Sequence, residues 1–117
     1  MAHRIDGRKL GRKTGPRRAL YANLIVAVLR YERIRTTEAR AKEVRGMVER
    51  VISLAKDGSL AARRRIIAEL PDEPLVIDKL YDEIAPRYGD RDSGYTRVVK
   101  LGTRAGDAAP VVQLELV

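Results

Sequence analysis

The sequence contains no cysteine and, among its 117 residues, a single histidine, His3. A chain without cysteine forms neither disulfide bonds nor thiolate metal sites and has no cysteine nucleophile. One histidine excludes metal sites that need several imidazoles, so no metal and no cofactor are expected. No apolar run approaches the roughly 18 residues of a membrane-spanning helix. These absences predict a small protein of a reducing compartment with no membrane partner and no small-molecule substrate.

What the sequence has in excess is positive charge. It carries 24 lysines and arginines against 16 aspartates and glutamates, a net charge of +8 and a pI near 10.2. The excess is segregated, because residues 1–18 and residues 19–65 each carry +6 whereas residues 66–117 carry −4. A segregated excess marks a face or an arm, so the sequence predicts a polyanionic partner.

Residues 1–15 are basic and lack apolar periodicity, and glycines interrupt them. Such a segment cannot bury enough apolar surface to fold alone, so we expect an extended N-terminal arm that its partner orders. A solvated, disordered tail is the alternative. Residues 16–117 are long enough for a single globular domain. The candidate contacts of the arm and of the start of the domain are His3, Arg4, Arg8, Lys9, Arg12, Lys13, Arg17 and Arg18.

Apolar periodicity and punctuating residues predict four helices and three strands. Prolines and small polar residues mark the helix starts, and the first helix is apolar on nearly every side, as expected at the centre of a core. Alternation and β-branched residues mark the strands. The predicted helices run from Pro16 to Tyr31, from Thr36 or Thr37 to Asp57-Gly58, from Ser59 to about Leu70, and from Pro74 to the residue before Pro86. The predicted strands are Glu32–Thr36, Thr96–Leu101 and Val111–Val117, the last two joined as a hairpin by Gly102–Pro110.

The fold class that follows is α/β (α+β), with about four helices packed on a small three-stranded mixed sheet. On the third helix an apolar arc is predicted at Leu60, Ile66, Ile67 and Leu70. Arg63 falls inside this arc, so its guanidinium must reach outward past the apolar groups. On the fourth helix the residues predicted to face inward are Val76, Ile77, Leu80 and Ile84.

A series of short motifs, taken in order and spacing, resembles one family. The motifs are Met1-Ala2-His3-Arg4, Gly7-Arg8-Lys9-Leu10, Glu32-Arg33-Ile34-Arg35-Thr36-Thr37, Ala41-Lys42-Glu43, Leu54-Ala55-Lys56, Ala62-Arg63-Arg64, Ala85-Pro86-Arg87-Tyr88, Gly94-Tyr95-Thr96-Arg97, Arg104-Ala105-Gly106-Asp107 and Glu115-Leu116-Val117. Together they resemble the L-seventeen family of bacterial large-subunit ribosomal proteins, from the first residue to the last.

The resemblance implies helices packed on a three-stranded sheet, with a basic N-terminal extension. It implies binding to large-subunit rRNA near the polypeptide exit, beside neighbouring ribosomal proteins, in a bacterial cytoplasm. Since the family pattern begins at Met1, we expect no transit peptide, although an organellar gene remains an alternative. Thr14-Gly15-Pro16 stands where the family commonly has a serine–serine–histidine run, and Gly11 replaces a usual asparagine. The contacts of that histidine are therefore not carried over.

Beyond the arm, three groups are candidate RNA contacts. Helix N-termini offer free amides to phosphate, and arginines grip phosphate oxygens with a bidentate fork. Ordinary helix capping and solvated charges are the alternatives for each group. Tyr95 either stacks on a base or is partly buried. The groups are Thr36, Thr37 and Lys42 at the start of the second helix, Arg63 and Arg64 on the third, and Arg91, Arg97 and Arg104 on or beside the hairpin.

Two other function classes are weighed against RNA binding. Residues 59–85 have the layout of a DNA-binding helix-turn-helix, but the recognition helix would carry Asp78, Asp82 and Glu83. An enzyme is not expected, because no nucleophile has a base in view and no carboxylate pair has a recognisable spacing. Asp90-Arg91-Asp92 is interpreted as a solvated loop rather than a metal site. No apolar stripe remains once the core is built, so no homo-oligomer is expected.

Overall fold

The computed structural model describes residues 14–70 and 73–117. Helix α1 spans Thr14–Tyr31, α2 Glu38–Asp57 and α3 Leu60–Glu69. Residues 74–87 form one further helix, α4, which is α-helical over Pro74–Lys79, π-helical over Leu80–Ile84 and α-helical again over Ala85–Arg87. The strands are β1 (Arg33–Thr37), β2 (Thr96–Thr103) and β3 (Pro110–Leu116). The predicted fold class and its four helices are confirmed, whereas the arm lies outside the described residues.

The sheet is antiparallel throughout, with the strand order β1-β3-β2. The prediction of a mixed sheet was wrong in this respect. The hairpin turns β3 back along β2, and β3 then lies between β1 and β2, so it runs opposite to both neighbours. A bulge between Lys100 and Gly102 shifts the β2–β3 register near the hairpin end.

Strand alternation gives the sheet two different faces. On β3, the side chains of Val112, Leu114 and Leu116 are buried against the helices, while Gln113 and Glu115 lie on the opposite face and are half-buried. Helices α1 and α2 pack on the inner face and contribute half of the buried core among the described residues, including Leu29, Val48 and Ile52. The sheet therefore has one apolar face, covered by helices, and one polar face.

Side-chain caps set the helix boundaries much as the sequence predicts. Thr37, rather than Thr36, caps α2, and its Oγ1 accepts from the Arg40 amide at 3.5 Å. Gly58 ends α2 in the left-handed region (φ 71°), which a glycine adopts without strain. Ser59 caps α3, its Oγ accepting from the Ala62 amide at 3.1 Å.

The apolar arc predicted for α3 is only half correct. Ile66 and Leu70 are buried, but Leu60 and Ile67 are 63% and 51% exposed. Helix α3 packs mainly against α2, and one neighbour covers only a narrow stripe, which Ala62, Ile66 and Leu70 fill at helical spacing.

Helix α4 buries the four predicted residues but does not stop before Pro86. It continues to Arg87, with Pro86 in its last turn. The preceding π-helical segment has wider turns, bonded from the Ala85 amide to the Leu80 carbonyl. In a regular α-helix a proline lacks the amide donor and its ring meets the carbonyl four residues earlier, so a change in the bonding pattern next to Pro86 is expected.

Adjacent isoleucines on α3 test the packing of this helix. Ile66→Ala removes a fully buried side chain and is expected to lower the free energy of unfolding by about 2–5 kcal/mol. Ile67→Ala is the matched control and should change it by about 0.5 kcal/mol or less. Urea unfolding of the two variants measures both values, and equal losses would contradict the described orientation of α3.

Candidate nucleic-acid interface

The outer face of the sheet is the surface that the helices leave uncovered. Arg33 and Arg35 of β1 alternate with the half-buried Ile34 and are exposed on this face. The register places Arg33 and Arg97 on either side of Glu115, and Arg35 and Val99 on either side of Gln113. The two flanking strands thus bring three arginines to one face. We call the residues Arg33, Arg35, Val99, Arg97, Gln113 and Glu115 the outer sheet face.

One carboxylate lies among these arginines. The side-chain amide of Gln113 donates to Glu115, and Arg97 Nε donates to Glu115 Oε2 at 2.5 Å. These bonds, with the nearby charge of Arg33, lower the pKa of Glu115, so it stays ionised. Within residues 14–70 and 73–117, Arg33 and Arg35 have no carboxylate oxygen within 4.0 Å. The face therefore has a net positive charge.

The turn from α1 to β1 borders this face and contains an unusual backbone conformation. Glu32 has φ 65°, the left-handed region, which is unfavourable for a residue with a Cβ atom. Its amide donates to the Val28 carbonyl at 2.8 Å, and its own carbonyl accepts from the Leu116 amide at 2.9 Å. Main-chain bonds to α1 and β3 thus hold the residue in this conformation.

The carboxylate of Glu32 adds three charge-assisted bonds to α4. Arg87 Nη1 and Nη2 donate to its two oxygens at 2.7 and 3.1 Å, and Lys79 Nζ lies 3.1 Å from Oε2. The bonds from Arg87 contribute most to lowering the pKa of Glu32, which falls to about 2 despite some burial. The bidentate geometry fixes the carboxylate between α4 and the sheet edge.

Tyr31 precedes Glu32 and is 64% exposed. With Arg33 and Glu115 it lines a shallow depression at the edge of the outer sheet face. The guanidinium carbon of Arg30 lies 6.0 Å from the ring centroid, and Arg30 also pairs with Glu73 at 2.9 Å. Sequence reasoning did not select Tyr31, Arg33 or Arg35. The alternation around Ile34 contained the signal for the two arginines, since it places both opposite to the core.

Glu49 of α2 anchors the other flanking strand. Its carboxylate accepts from the amides of Gly94 and Thr96 at 3.0 and 2.9 Å and from the Thr96 hydroxyl at 2.7 Å. Burial alone raises the pKa of Glu49, but the Thr96 hydroxyl and the backbone amides outweigh it, and the net effect lowers this pKa. The bonds fix the start of β2, next to Arg97.

The predicted contacts at the start of α2 are partly engaged within the protein. Thr36 is half-buried opposite Val112, and the Thr37 hydroxyl caps the helix. Lys42 is exposed and its ammonium lies 3.5 Å from Glu38, four residues earlier. Their contact with RNA stays a prediction.

The predicted contacts on α3 are on the surface. The guanidinium of Arg63 lies 4.6 Å from the ring centroid of Tyr81, so it reaches outward as expected, across an aromatic face. Arg64 is exposed and, in the described part of the chain, has no carboxylate within 4.0 Å. Arg64 is therefore the α3 cation most open to a phosphate.

The residues near the hairpin that the sequence predicts as RNA contacts differ in their contacts within the protein and in their burial. Arg104 forms a fork with the carboxylate of Asp107 in the hairpin loop, which lowers the pKa of Asp107 to about 2. Arg91 donates to the Gly94 carbonyl at 3.1 Å. Tyr95 is 1% exposed, with its ring 5.2 Å from that of Tyr88. Burial rather than base stacking is therefore the role of Tyr95.

The remaining predicted residues lie near the N-terminus. Arg17 of α1 is 5% exposed, whereas Arg18 is exposed and borders a groove between α1, α2 and α3. His3, Arg4, Arg8, Lys9, Arg12 and Lys13 lie outside the described residues.

The described ranges hold no cluster of three histidine or carboxylate side chains suited to a metal ion. They also hold no helix with the length and apolar character needed to cross a bilayer.

Comparison with known proteins places this architecture in a family. A family profile described as "Ribosomal protein L17" matches residues 20–117. The chain belongs to the ribosomal protein L17 family. This is a family of large-subunit ribosomal proteins, and the resemblance found in the motifs is confirmed.

Three relatives show how far the similarity extends, and each is called "Large ribosomal subunit protein bL17". The protein of Caldanaerobacter subterraneus is 57% identical over 110 residues, which cover 94% of this chain and 97% of the relative. The protein of Syntrophotalea carbinolica is 50% identical over the whole chain and 75% of its own length. The protein of Dehalococcoides mccartyi is 46% identical over the whole chain and 99% of its own length.

Glu32→Gln tests the junction beside the outer sheet face. Because the pKa of Glu32 falls from 4.5 to about 2 in the folded protein, its stabilisation is fully present above pH 4.5 and is lost as the pH falls through about 2. We expect the variant to lose about 1 kcal/mol of unfolding free energy at pH 7, less than the full linkage value because solvent screens the pair. The deficit should shrink below pH 4.5.

Denaturant unfolding between pH 7 and pH 2.5 measures this difference, with Glu83→Gln as the control for an exposed carboxylate on α4. A deficit that does not change with pH would contradict the assigned role of the Glu32 charge.

Proposed function

We propose that this protein is a structural constituent of the large ribosomal subunit that binds and stabilises folded large-subunit rRNA near the polypeptide exit. Its neighbours there are other large-subunit ribosomal proteins, in a bacterial cytoplasm. The observation that carries the proposal is the family match over residues 20–117, together with relatives at 46–57% identity. The role is architectural, without a catalytic step, cofactor or homo-oligomer.

The charge distribution supports RNA as the partner. The exposed cations without a carboxylate within 4.0 Å, among the described residues, include Arg18, Arg33, Arg35, Arg50 and Arg64. Phosphates neutralise such cations and release condensed counterions, which provides affinity without reading a base sequence. Folded RNA is recognised largely by shape, sugar and phosphate, so scattered arginines suffice.

Acidic side chains are concentrated elsewhere. Asp78, Asp82 and Glu83 are exposed along α4, and Asp90 and Asp92 are exposed in the loop that follows it. A phosphate backbone would be repelled from this side of the molecule. The same carboxylates oppose the alternative function, a DNA-binding regulator using residues 59–85, because α4 would be its recognition helix.

Sedimentation of the tagged chain from bacterial lysate tests the proposal. We expect it to travel with the large subunit and to stay there through a moderate-salt wash. A variant with Arg4, Arg8 and Arg12 changed to alanine should be released at lower salt, because each lost phosphate contact reduces the salt slope of binding by about 0.7–0.9.

The chain remaining at the top of the gradient beside intact ribosomes would contradict the proposed function. Tight binding to one duplex DNA sequence in the presence of competitor RNA would favour the regulator instead. If the triple variant is retained like the unsubstituted chain between about 50 and 300 mM salt, the result would contradict the role of the arm but not the proposed function.

A further inference from the structure

We propose that the outer sheet face and Tyr31 form a platform for an unpaired stretch of RNA, with Arg33 and Arg35 on its phosphates and Tyr31 stacked on a base. The inference rests on the proposed function, since it takes RNA as the partner. It adds a surface and three residues that the sequence patterns did not select.

The first argument is that the face is uncovered and firmly supported from behind. The inner side chains of β3, at Val112, Leu114 and Leu116, are at most 8% exposed beneath α1 and α2. Arg33 and Arg35, on the other side of the sheet, are exposed to solvent. Same-side residues two apart on a strand are separated by about 7 Å, a distance comparable to the spacing of neighbouring phosphates along an extended nucleic-acid strand.

The second argument is charge complementarity. The face presents Arg33, Arg35 and Arg97 against Glu115, and bonds from Arg97 and Gln113 already engage the Glu115 carboxylate. Arg33 and Arg35 have no carboxylate within 4.0 Å in the described ranges. A polyanion suits this surface, whereas a second copy of the chain would bring the same positive charge against it.

The third argument is the aromatic ring at the edge. Among the described tyrosines, Tyr21, Tyr88 and Tyr95 are buried, whereas Tyr31 is 64% exposed. Tyr31 shares its depression with Arg33 and Glu115, so a base on the ring places the adjoining phosphates toward the arginines. Aromatic rings beside basic grooves are the usual elements that bind unpaired bases.

The fourth argument is that the backbone between Tyr31 and Arg33 is held in place. Glu32 has φ 65°, and its carboxylate is fixed by Arg87 and Lys79 while its carbonyl accepts from the Leu116 amide. Such a conformation persists in a non-glycine residue only where the surroundings determine it, and it is found preferentially at binding and catalytic sites. The backbone that carries the ring and the two guanidinium groups is thus positioned before RNA arrives.

The test measures binding of the full chain to single-stranded poly(U) and to large-subunit rRNA over a range of salt. The double variant R33Q/R35Q removes two positive charges from the outer sheet face. R45Q/R65Q is the matched control, since it removes two exposed arginines of the helices that already have partners within the protein, the Thr96 carbonyl at 3.5 Å and Glu69 at 4.0 Å. We expect roughly tenfold weaker poly(U) binding for R33Q/R35Q, with the salt slope reduced by about 1.4, and a change within about twofold for the control.

Equal losses for both pairs would overturn the platform, because they would show only the effect of net charge. No loss for R33Q/R35Q, with normal binding by the unsubstituted chain, would overturn the platform and leave the proposed function standing. Failure of the unsubstituted chain to bind either RNA would overturn both. Binding of poly(glutamate) in place of RNA, with the same dependence on Arg33 and Arg35, would assign the face to an acidic protein instead.

Tyr31 is tested separately by two substitutions. Tyr31→Phe keeps the ring and should keep poly(U) binding, whereas Tyr31→Ala should weaken it roughly tenfold with an unchanged salt slope. Equal weakening by both variants would overturn stacking. Thermal unfolding of each variant confirms that it is folded, and the salt slope separates the loss of a ring from the loss of a phosphate contact.

Discussion

The Glu32 carboxylate, with its bonds to Arg87 and Lys79, is the interaction on which the position of the outer sheet face and Tyr31 relative to α4 depends. It lies where α1 ends and β1 begins, and it connects this turn to α4, while the Glu32 carbonyl binds the end of β3. One residue thus links the turn between α1 and β1 to two segments that are distant in sequence, to α4 through its side chain and to β3 through its main chain. The same contacts support a left-handed backbone conformation that a free chain would leave, and they direct the strand so that Ile34 faces the core and its flanking arginines face outward.

The two faces of the small sheet have different roles in the proposed account, the inner one in stability and the outer one in recognition. The inner face is apolar and covered by α1 and α2, so removing its side chains affects folding. The outer face is basic and uncovered, so we expect changes to its charges to affect the proposed RNA binding more than folding. Glu32 and Glu49 lie near the ends of the two flanking strands. Each fixes the backbone next to an arginine whose side chain lies on the outer face. The acidic exposed side of α4 restricts how the protein can face a polyanion, because it disfavours the approach of phosphate from that side.

Local signals were sufficient for much of this fold. Capping residues at Thr37, Gly58 and Ser59, and alternation around Ile34, depend on neighbours within a few residues, so the sequence predicts them. Strand direction, the partners of Glu32 and the exposure of Leu60 and Ile67 depend on contacts between distant segments, which periodicity does not contain. Among the site residues, Arg64 lies on the surface as predicted, whereas Arg104 is engaged by Asp107. Tyr31 was missed because its position beside the sheet comes from the turn at Glu32, whereas the alternation around Ile34 already placed Arg33 and Arg35 opposite to the core.

Hydroxyl-radical footprinting of the protein, free and assembled in the large subunit, tests the central claim most directly. The account predicts that oxidation of Tyr31 and of the neighbouring β1 side chains falls strongly on assembly, while the exposed Leu75 at the start of the acidic α4 stays reactive. Protection confined to α4, with Tyr31 oxidised equally in the free and assembled protein, would contradict it and place the interface on the acidic exposed side of α4 instead.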